Sequence, residues 1–217
     1  MFIIHISISL DGKQVNMEYN EYMQNDIYKD FKSPDMPNLT MITYPRSGRH
    51  WMFWYIQTNT DLKMNFIHHE KEEQDEDYYQ KILSNPIITI VRNPEDCLAS
   101  INTMEQSSQI NRRIDDYIDH YEFLLEHADL FFRYEDLRDK TPDIVKVICD
   151  RFGGRVLGSN DNFKDYEKWY KETQNKDKLI TSKTSNSYGD ALEYIKTIDL
   201  SRHKELYVAA KARCIRL

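Results

Sequence analysis

The segment TYPRSGRHWM, residues 43–52, concentrates N–H donors and positive charge in one short turn. It contains Arg46, Arg49 and His50, together with a proline and a glycine that favour a tight turn and close backbone approach. If a helix begins near Ser47, its first N–H groups and the positive end of its dipole point into this turn. Such an arrangement is typical of a site for phosphate or sulfate, and the alternative is a basic surface turn.

The same segment differs from the triphosphate-binding P-loop. That motif, GxxxxGK[ST], places a lysine directly after its last glycine. Here Arg49 follows Gly48, and the first glycine of the motif is missing. A P-loop kinase is therefore an alternative and not the main prediction.

Two more polar clusters follow apolar runs that we predict to be strands. Arg92 to Asp96 follow the run IITIVR, and Arg133 to Asp136 lie at the end of the run DLFFRY. In sheets of parallel strands, ligands bind at the carboxyl ends, where loops enter helices. We therefore expect all three clusters to contribute to one site.

Strand-like and helix-like patterns alternate along the chain. The predicted strands are residues 39–44, 64–68, 87–92 and 129–134, and the third has the β-branched composition of a strand buried on both faces. Helical patterns follow them in SGRHWMFWYIQT, PEDCLASINTME, INRRIDDYIDHYEFLLEH and TPDIVKVICDRFGG, the last with Thr141 as the predicted N-cap. The alternation predicts an α/β fold with a mainly parallel sheet flanked by helices and a P-loop-like anion-binding turn.

Composition limits the class of protein. A chain of 217 residues fits one domain, and its net charge of −7 argues against a general nucleic-acid-binding surface. Three widely spaced cysteines without zinc-ligand spacing predict neither a metal site nor a disulfide framework. The opening MFIIHISISL is too short to span a membrane and alternates like a strand. These features predict a cytoplasmic protein without membrane or nucleic-acid partners.

Three segments resemble the nucleotide-binding motifs of the cytosolic-type sulfotransferases. YPRSGRHW is similar to that family's YPKSGTTW loop, IVRNPEDCLAS to its RNPxDxxxS stretch, and RYEDLRDKTPDIVKVICDRFG to its YEDL segment and the following helix. The motifs occur in the family's order within residues 39–154, and together they are specific. Residues 1–38 and 155–217 match the family less clearly.

The resemblance implies a domain that binds 3′-phosphoadenosine 5′-phosphosulfate (PAPS), releases adenosine 3′,5′-bisphosphate (PAP) and requires no metal ion. By motif position, Arg46 replaces the family's lysine at the bridging oxygen and the 5′-phosphate, while Arg92 and Ser100 bind the 3′-phosphate. The resemblance further implies that Trp51 packs on the adenine and that Tyr134 lies near the adenine edge. The loop that would surround the phosphosulfate consists of Ser47, Gly48, Arg49 and His50. Alternatively, the aromatic residues belong to the core and Ser100 to the surface.

Some positions depart from the family pattern. Arg49 and His50 stand where the family has two threonines, so two hydroxyl contacts are lost and His50 becomes a candidate donor to the sulfuryl oxygens. The family's RKGxxGxW stretch is absent. Its candidate substitute is ITSKTSNSYGD, residues 180–190, in which Lys183 supplies a cation.

The resemblance also suggests a catalytic base. Family members carry a histidine at the end of the strand between the two phosphate motifs, where this chain has NFIHHE. Since side chains alternate along a strand, only one of His68 and His69 can face the cleft. The family's histidine–acidic pattern favours His69, with His68 and then Glu70 as alternatives. Histidine suits proton transfer at neutral pH.

We therefore predict one sulfotransferase-like domain over residues 1–217, with an N-terminal extension (1–38), a cofactor-binding core (39–154) and a variable C-terminal part (155–217). The reaction is transfer of a sulfuryl group from PAPS to a hydroxyl or amine, with a histidine base and Arg46 at the reacting group. The acceptor is a small molecule, saccharide or peptide. Two alternatives remain open: a P-loop nucleotide kinase, and a non-catalytic domain that binds adenosine bisphosphate.

Overall fold

The structure, a computed structural model, describes residues 5–10, 13–18, 39–67, 83–104, 110–174 and 187–217. The chain divides into two compact units, one of residues 33–163 with 180–217 and a smaller one of residues 1–32 with 164–179. In the smaller unit, strands β1 (His5–Leu10) and β2 (Lys13–Glu18) form an antiparallel pair. This confirms the strand predicted within the first ten residues.

The larger unit is built on a parallel sheet. Its strands are β3 (Leu39–Ile42), β4 (Met64–Ile67), β5 (Ile87–Val91) and β6 (Leu130–Arg133), in the order β4-β3-β5-β6. All three pairings between neighbouring strands are parallel. Every residue of β3 and β5 is buried, which explains why both are apolar apart from one threonine each, Thr40 and Thr89.

Helices of the larger unit follow and flank these strands. In chain order, the helices are α1 (Arg49–Asn59), α2 (Pro94–Met104), α3 (Ile110–His127), α4 (Thr141–Phe152), α5 (Phe163–Gln174), α6 (Ser187–Lys196) and α7 (Ser201–Ala212), with a 3₁₀ helix at Tyr134–Leu137. Helix α5 belongs to the smaller unit from Lys164 onward. The predicted α/β fold with a parallel sheet flanked by helices is confirmed. Helix α3 has the bounds that its apolar spacing predicts, and it buries Tyr117, Tyr121 and Leu124 in the core.

The prediction that Thr141 caps α4 is wrong. Lys140 is the N-cap and makes no side-chain capping bond, while Thr141 is the first helical residue. The Thr141 hydroxyl donates instead to the carbonyl of Leu137, in the turn before the helix. At the other end, Gly153 closes α4 in the left-handed region with φ 78° and donates to the carbonyl of Cys149 at 2.9 Å, as the Gly153-Gly154 pair predicts.

The connections between strands reverse direction in the middle of the sheet. From β3 the chain passes through α1 to β4 on one side, and then crosses to β5 on the other side of β3. Ligands of open α/β sheets bind where the strand order reverses in this way. The carboxyl ends of β3 and β5 carry the turn around Arg46 and the side chain of Arg92.

Candidate functional site

The turn between β3 and α1 presents the start of a helix to the switch point. The first helical hydrogen bond runs from Met52 N to Gly48 O at 3.2 Å, so the N–H groups of residues 49–51 lie ahead of the helical ladder. The first turn of α1 contains no acidic residue and instead begins with Arg49 and His50. Cations are unfavourable at this positive end of a helix, whereas a bound anion is favourable. The local charges therefore suit an anionic ligand.

Gly48 is required by backbone conformation and by packing against the chain itself. Its φ of 84° lies in the left-handed region, which glycine adopts without strain. A Cβ at this position would lie 2.5 Å from Leu137 Cδ1 and 3.2 Å from Tyr134 Cε2. The sequence predicts a close backbone approach to a ligand here, and the structure identifies the approaching group as the 3₁₀ helix Tyr134–Leu137.

Arg46 links the turn to both ends of the segment formed by residues 92–100. Its Nε donates to Ser100 Oγ at 3.0 Å, and its carbonyl accepts a hydrogen bond from Arg92 Nη1. Arg46 has a φ of 67°, which costs a residue with a side chain about 1–2 kcal/mol. The neighbouring Ser47 is buried and donates its hydroxyl to the carbonyl of Tyr44, which closes the turn.

Arg92 is a charged side chain enclosed by the protein. Only 3% of its surface is exposed, and its guanidinium stacks on the Tyr134 ring at 4.2 Å from the centroid. Its backbone is held by the hydroxyls of Tyr117 and Tyr121 at 3.2–3.4 Å. Within the described residues, the Nε of Arg92 has no hydrogen-bond partner and no carboxylate pairs with the guanidinium.

The acidic residues closest to Arg92 in sequence are engaged elsewhere. Glu95 Oε1 pairs with Lys204 Nζ at 2.7 Å, and Asp96 Oδ1 accepts a hydrogen bond from the Tyr188 hydroxyl at 2.6 Å. An arginine that only closed the start of α2 would pair with one of these carboxylates. The described contacts give no such pair, so the guanidinium charge is available to a ligand.

Trp51 lies beside a ring that sequence reasoning missed. Its indole Nε1 donates to Thr141 Oγ1 at 3.0 Å, and its ring centroid is 6.3 Å from that of Phe163, which is 53% exposed. The loop before Phe163 is tied to α1 by Asn59, whose side chain makes bonds of 2.6 and 3.0 Å to the backbone of Asn160. A half-buried and an exposed ring together offer a surface on which a nucleobase can stack.

The structure therefore brings four of the predicted site residues into contact, either directly or through one another: Arg46, Ser100, Arg92 and Tyr134. Tyr134, predicted near the edge of an adenine, lies against the Arg92 guanidinium. The predicted bases His69 and His68, the alternative Glu70, and Lys183 lie outside the described residues.

Cys97 lies in the same region but is a poor nucleophile. It is fully buried, and this burial raises the pKa of its thiol to about 12, against the opposing effect of Arg92. All three cysteines are free and buried. In the part of the chain that the structure describes, no cluster of three or more His, Cys, Asp or Glu could hold a metal ion, and no helix is long and apolar enough to cross a membrane.

Comparison with known proteins finds matches among solved structures. No protein-family model matches the chain, and no curated protein matches its sequence. Mouse sulfotransferase SULT7A1, solved in complex with PAP, is 14% identical and superposes with a TM-score of 0.40 over 95% of this chain and 94% of that one. A similarity of this size is too low to assign a function to the present chain.

Proposed function

We propose that the protein is a sulfotransferase that binds PAPS and transfers its sulfuryl group to a hydroxyl or amine. The observation that carries the proposal is the Arg92 guanidinium, which is 3% exposed and pairs with no carboxylate among the described residues. An uncompensated buried charge costs several kcal/mol. A dianionic phosphate would remove that cost and would form charge-assisted, often bidentate hydrogen bonds with the guanidinium.

The residues around Arg92 fit a 3′-phosphate. The Ser100 hydroxyl accepts a hydrogen bond from Arg46 Nε, which places this hydroxyl beside the positive charge of the turn. The start of α1, with Arg49 and His50, suits the 5′-phosphosulfate, because its charges favour an anion there. The rings of Trp51 and Phe163 supply the stacking surface for adenine.

When bound, PAPS supplies an activated sulfuryl group on a phosphate leaving group. The task of the chain is then mostly positioning and stabilisation of charge, as in phosphoryl transfer. We assign the stabilising role to Arg46 and His50, whose positive or donor groups lie at the turn. We assign removal of the acceptor's proton to His69, with His68 as the alternative, because both directly follow strand β4 in sequence and histidine suits proton transfer at neutral pH.

The proposal is tested first by ligand-induced stabilisation. A ligand that binds only the folded state raises the melting temperature, so PAP without magnesium should do so. Stabilisation by ATP with magnesium, and not by PAP, would identify a kinase and refute the proposal. Incubation with PAPS and a panel of alcohol, saccharide, peptide and amine acceptors then tests turnover. Binding of PAP without release of PAP from PAPS by any acceptor class would indicate a non-catalytic binding domain.

A further inference from the structure

Two carboxylates are placed where they could neutralise Arg92. Glu95 and Asp96 lie three and four residues after Arg92, in the first turn of α2. Arg92 comes two residues before the helix begins, so in sequence its side chain and these two carboxylates belong to the same helix start. An ion pair between Arg92 and either carboxylate would compete with a bound phosphate, since the guanidinium would then be satisfied without a ligand.

Asp96 accepts a hydrogen bond from a residue near the far end of the chain. The Tyr188 hydroxyl, in the first turn of α6, donates to Asp96 Oδ1 at 2.6 Å across 92 positions of sequence. This is the short distance of a hydrogen bond to an ionised acceptor. The Tyr188 ring packs against the core, so the hydroxyl is fixed in place.

The Arg92 guanidinium and the Asp96 carboxylate have opposite effects on the pKa values of two groups, Tyr188 and Cys97. Burial and the hydrogen bond to Asp96 raise the pKa of Tyr188 well above its usual value, whereas Arg92 lowers it. Asp96 likewise raises the pKa of the Cys97 thiol, and Arg92 lowers it. Tyr188 therefore keeps its proton at physiological pH and remains a donor to Asp96.

We propose that Tyr188 is a positioning residue that holds the Asp96 carboxylate away from Arg92 and thereby keeps the guanidinium available for the 3′-phosphate of the nucleotide. The inference rests on the proposed function. Lys204 acts in the same way on Glu95, through an ion pair of 2.7 Å. That pair is more exposed to solvent, so its contribution is smaller.

A purely structural role for Tyr188 makes a different prediction. Helices α2 and α6 pack closely, and the hydrogen bond could serve only to join them. Loss of the hydroxyl would then lower stability, and removing the Asp96 charge could not restore ligand binding. The inference instead requires that Asp96→Asn rescue the affinity, because an amide does not compete for a guanidinium as a carboxylate does.

The test is a calorimetric titration with PAP and adenosine 5′-phosphate of wild type, Tyr188→Phe, Asp96→Asn and the double variant. Tyr188→Phe should bind PAP about tenfold more weakly, the scale of one hydrogen bond to a charged group. Its affinity for adenosine 5′-phosphate, which lacks the 3′ group, should not change. The double variant should return to wild-type affinity for PAP. Tyr194→Phe, an exposed tyrosine on the same helix, is the matched control.

Each outcome has one meaning. Wild-type affinity in Tyr188→Phe, or no rescue in the double variant, would overturn the role of Tyr188 and leave the proposed function standing. Failure of wild type to bind PAP would overturn both. If Tyr188→Phe does not fold, Asp96→Asn alone decides: it should bind PAP at least as tightly as wild type, and weaker binding would refute the competition.

Discussion

Replacing Arg92 with methionine should weaken the binding of PAP strongly. The stability of the ligand-free protein should stay nearly unchanged or increase. Methionine has a similar length, carries no charge and tolerates a buried site. The substitution removes the hydrogen bond to the Arg46 carbonyl and the stacking on Tyr134, but it also removes a charge that is 97% enclosed, since 3% of the residue is exposed.

The expected magnitudes follow from the absence of a carboxylate partner in the described residues. Breaking a buried ion pair costs about 3–5 kcal/mol, because the remaining charge is left uncompensated. Here no such charge is left behind, and the two lost contacts are offset by relief of the desolvation cost. We therefore expect the free energy of unfolding to stay within about 1 kcal/mol of wild type or to rise. The affinity for PAP should fall by about 2–4 kcal/mol, or roughly 30- to 1,000-fold.

Thermal unfolding with and without PAP measures both quantities. At a PAP concentration 100 times the wild-type Kd, binding adds about 2.7 kcal/mol, which for a chain of this size raises Tm by about 5–10 °C. The same concentration should stabilise Arg92→Met by less than about 1 kcal/mol. Arg138→Met is the control, because its side chain is 91% exposed and should change neither quantity.

One pattern of results would refute this reasoning. If Arg92→Met lowers the free energy of unfolding by more than about 3 kcal/mol, Arg92 has a structural ion pair. If it also keeps the wild-type response to PAP, Arg92 is not a ligand for the 3′-phosphate. The proposed function would then lose the observation on which it depends.

Three further predictions concern the base and the turn. His69→Ala should lower turnover by about 10²–10⁴-fold with PAP binding retained, and His68→Ala should be mild; an assay of PAP release decides, and the reverse ranking would assign the base to His68. Arg46→Ala should lower kcat more than it lowers the affinity for PAPS, whereas Arg46→Lys should keep substantial activity. If the lysine variant is as inactive as the alanine variant in the same assay, a positive charge at position 46 is not sufficient for catalysis. Gly48→Ala should lower the free energy of unfolding in urea by about 2 kcal/mol or more, because a left-handed alanine is strained and its Cβ would lie 2.5 Å from Leu137; an unchanged midpoint would contradict the packing described here.

The elements that the sequence predicts best are those whose burial pattern is set along the chain. Helix α3 buries one face over its whole length, and β5 is buried at every residue and apolar at all but Thr89, so the local sequence pattern identifies both. Thr141 does not act as the N-cap of α4, because its hydroxyl is used in two other hydrogen bonds. It donates to the carbonyl of Leu137 and accepts from the indole of Trp51, and the Trp51 contact, 90 positions away, has no local sequence signal. The sequence patterns did not predict helices α5, α6 and α7, which are largely exposed and therefore carry few apolar residues.

The candidate site was predictable as a location but not as a set of contacts. The carboxyl ends of neighbouring parallel strands meet at one edge, which is why the clusters at Arg46, Arg92 and Tyr134 could be assigned to one place before the fold was known. The bond between Tyr188 and Asp96 had no local signal, since its partners are 92 positions apart. Phe163 was missed for a similar reason, because it reaches Trp51 only through a loop fixed to α1 by Asn59.

The long-range character of these contacts has a consequence for folding. The hydrogen bonds of the site join residues 46, 54, 90 and 92 positions apart, namely Arg92 to Arg46, Arg46 to Ser100, Trp51 to Thr141 and Tyr188 to Asp96. The chain loses the entropy of closing these long loops before the contacts contribute any stability. Topologies of this kind therefore fold slowly. The site should form late, after β3 and β5 have paired. Ligand binding should then increase amide-exchange protection throughout the central sheet, and not only in the turn that touches the ligand.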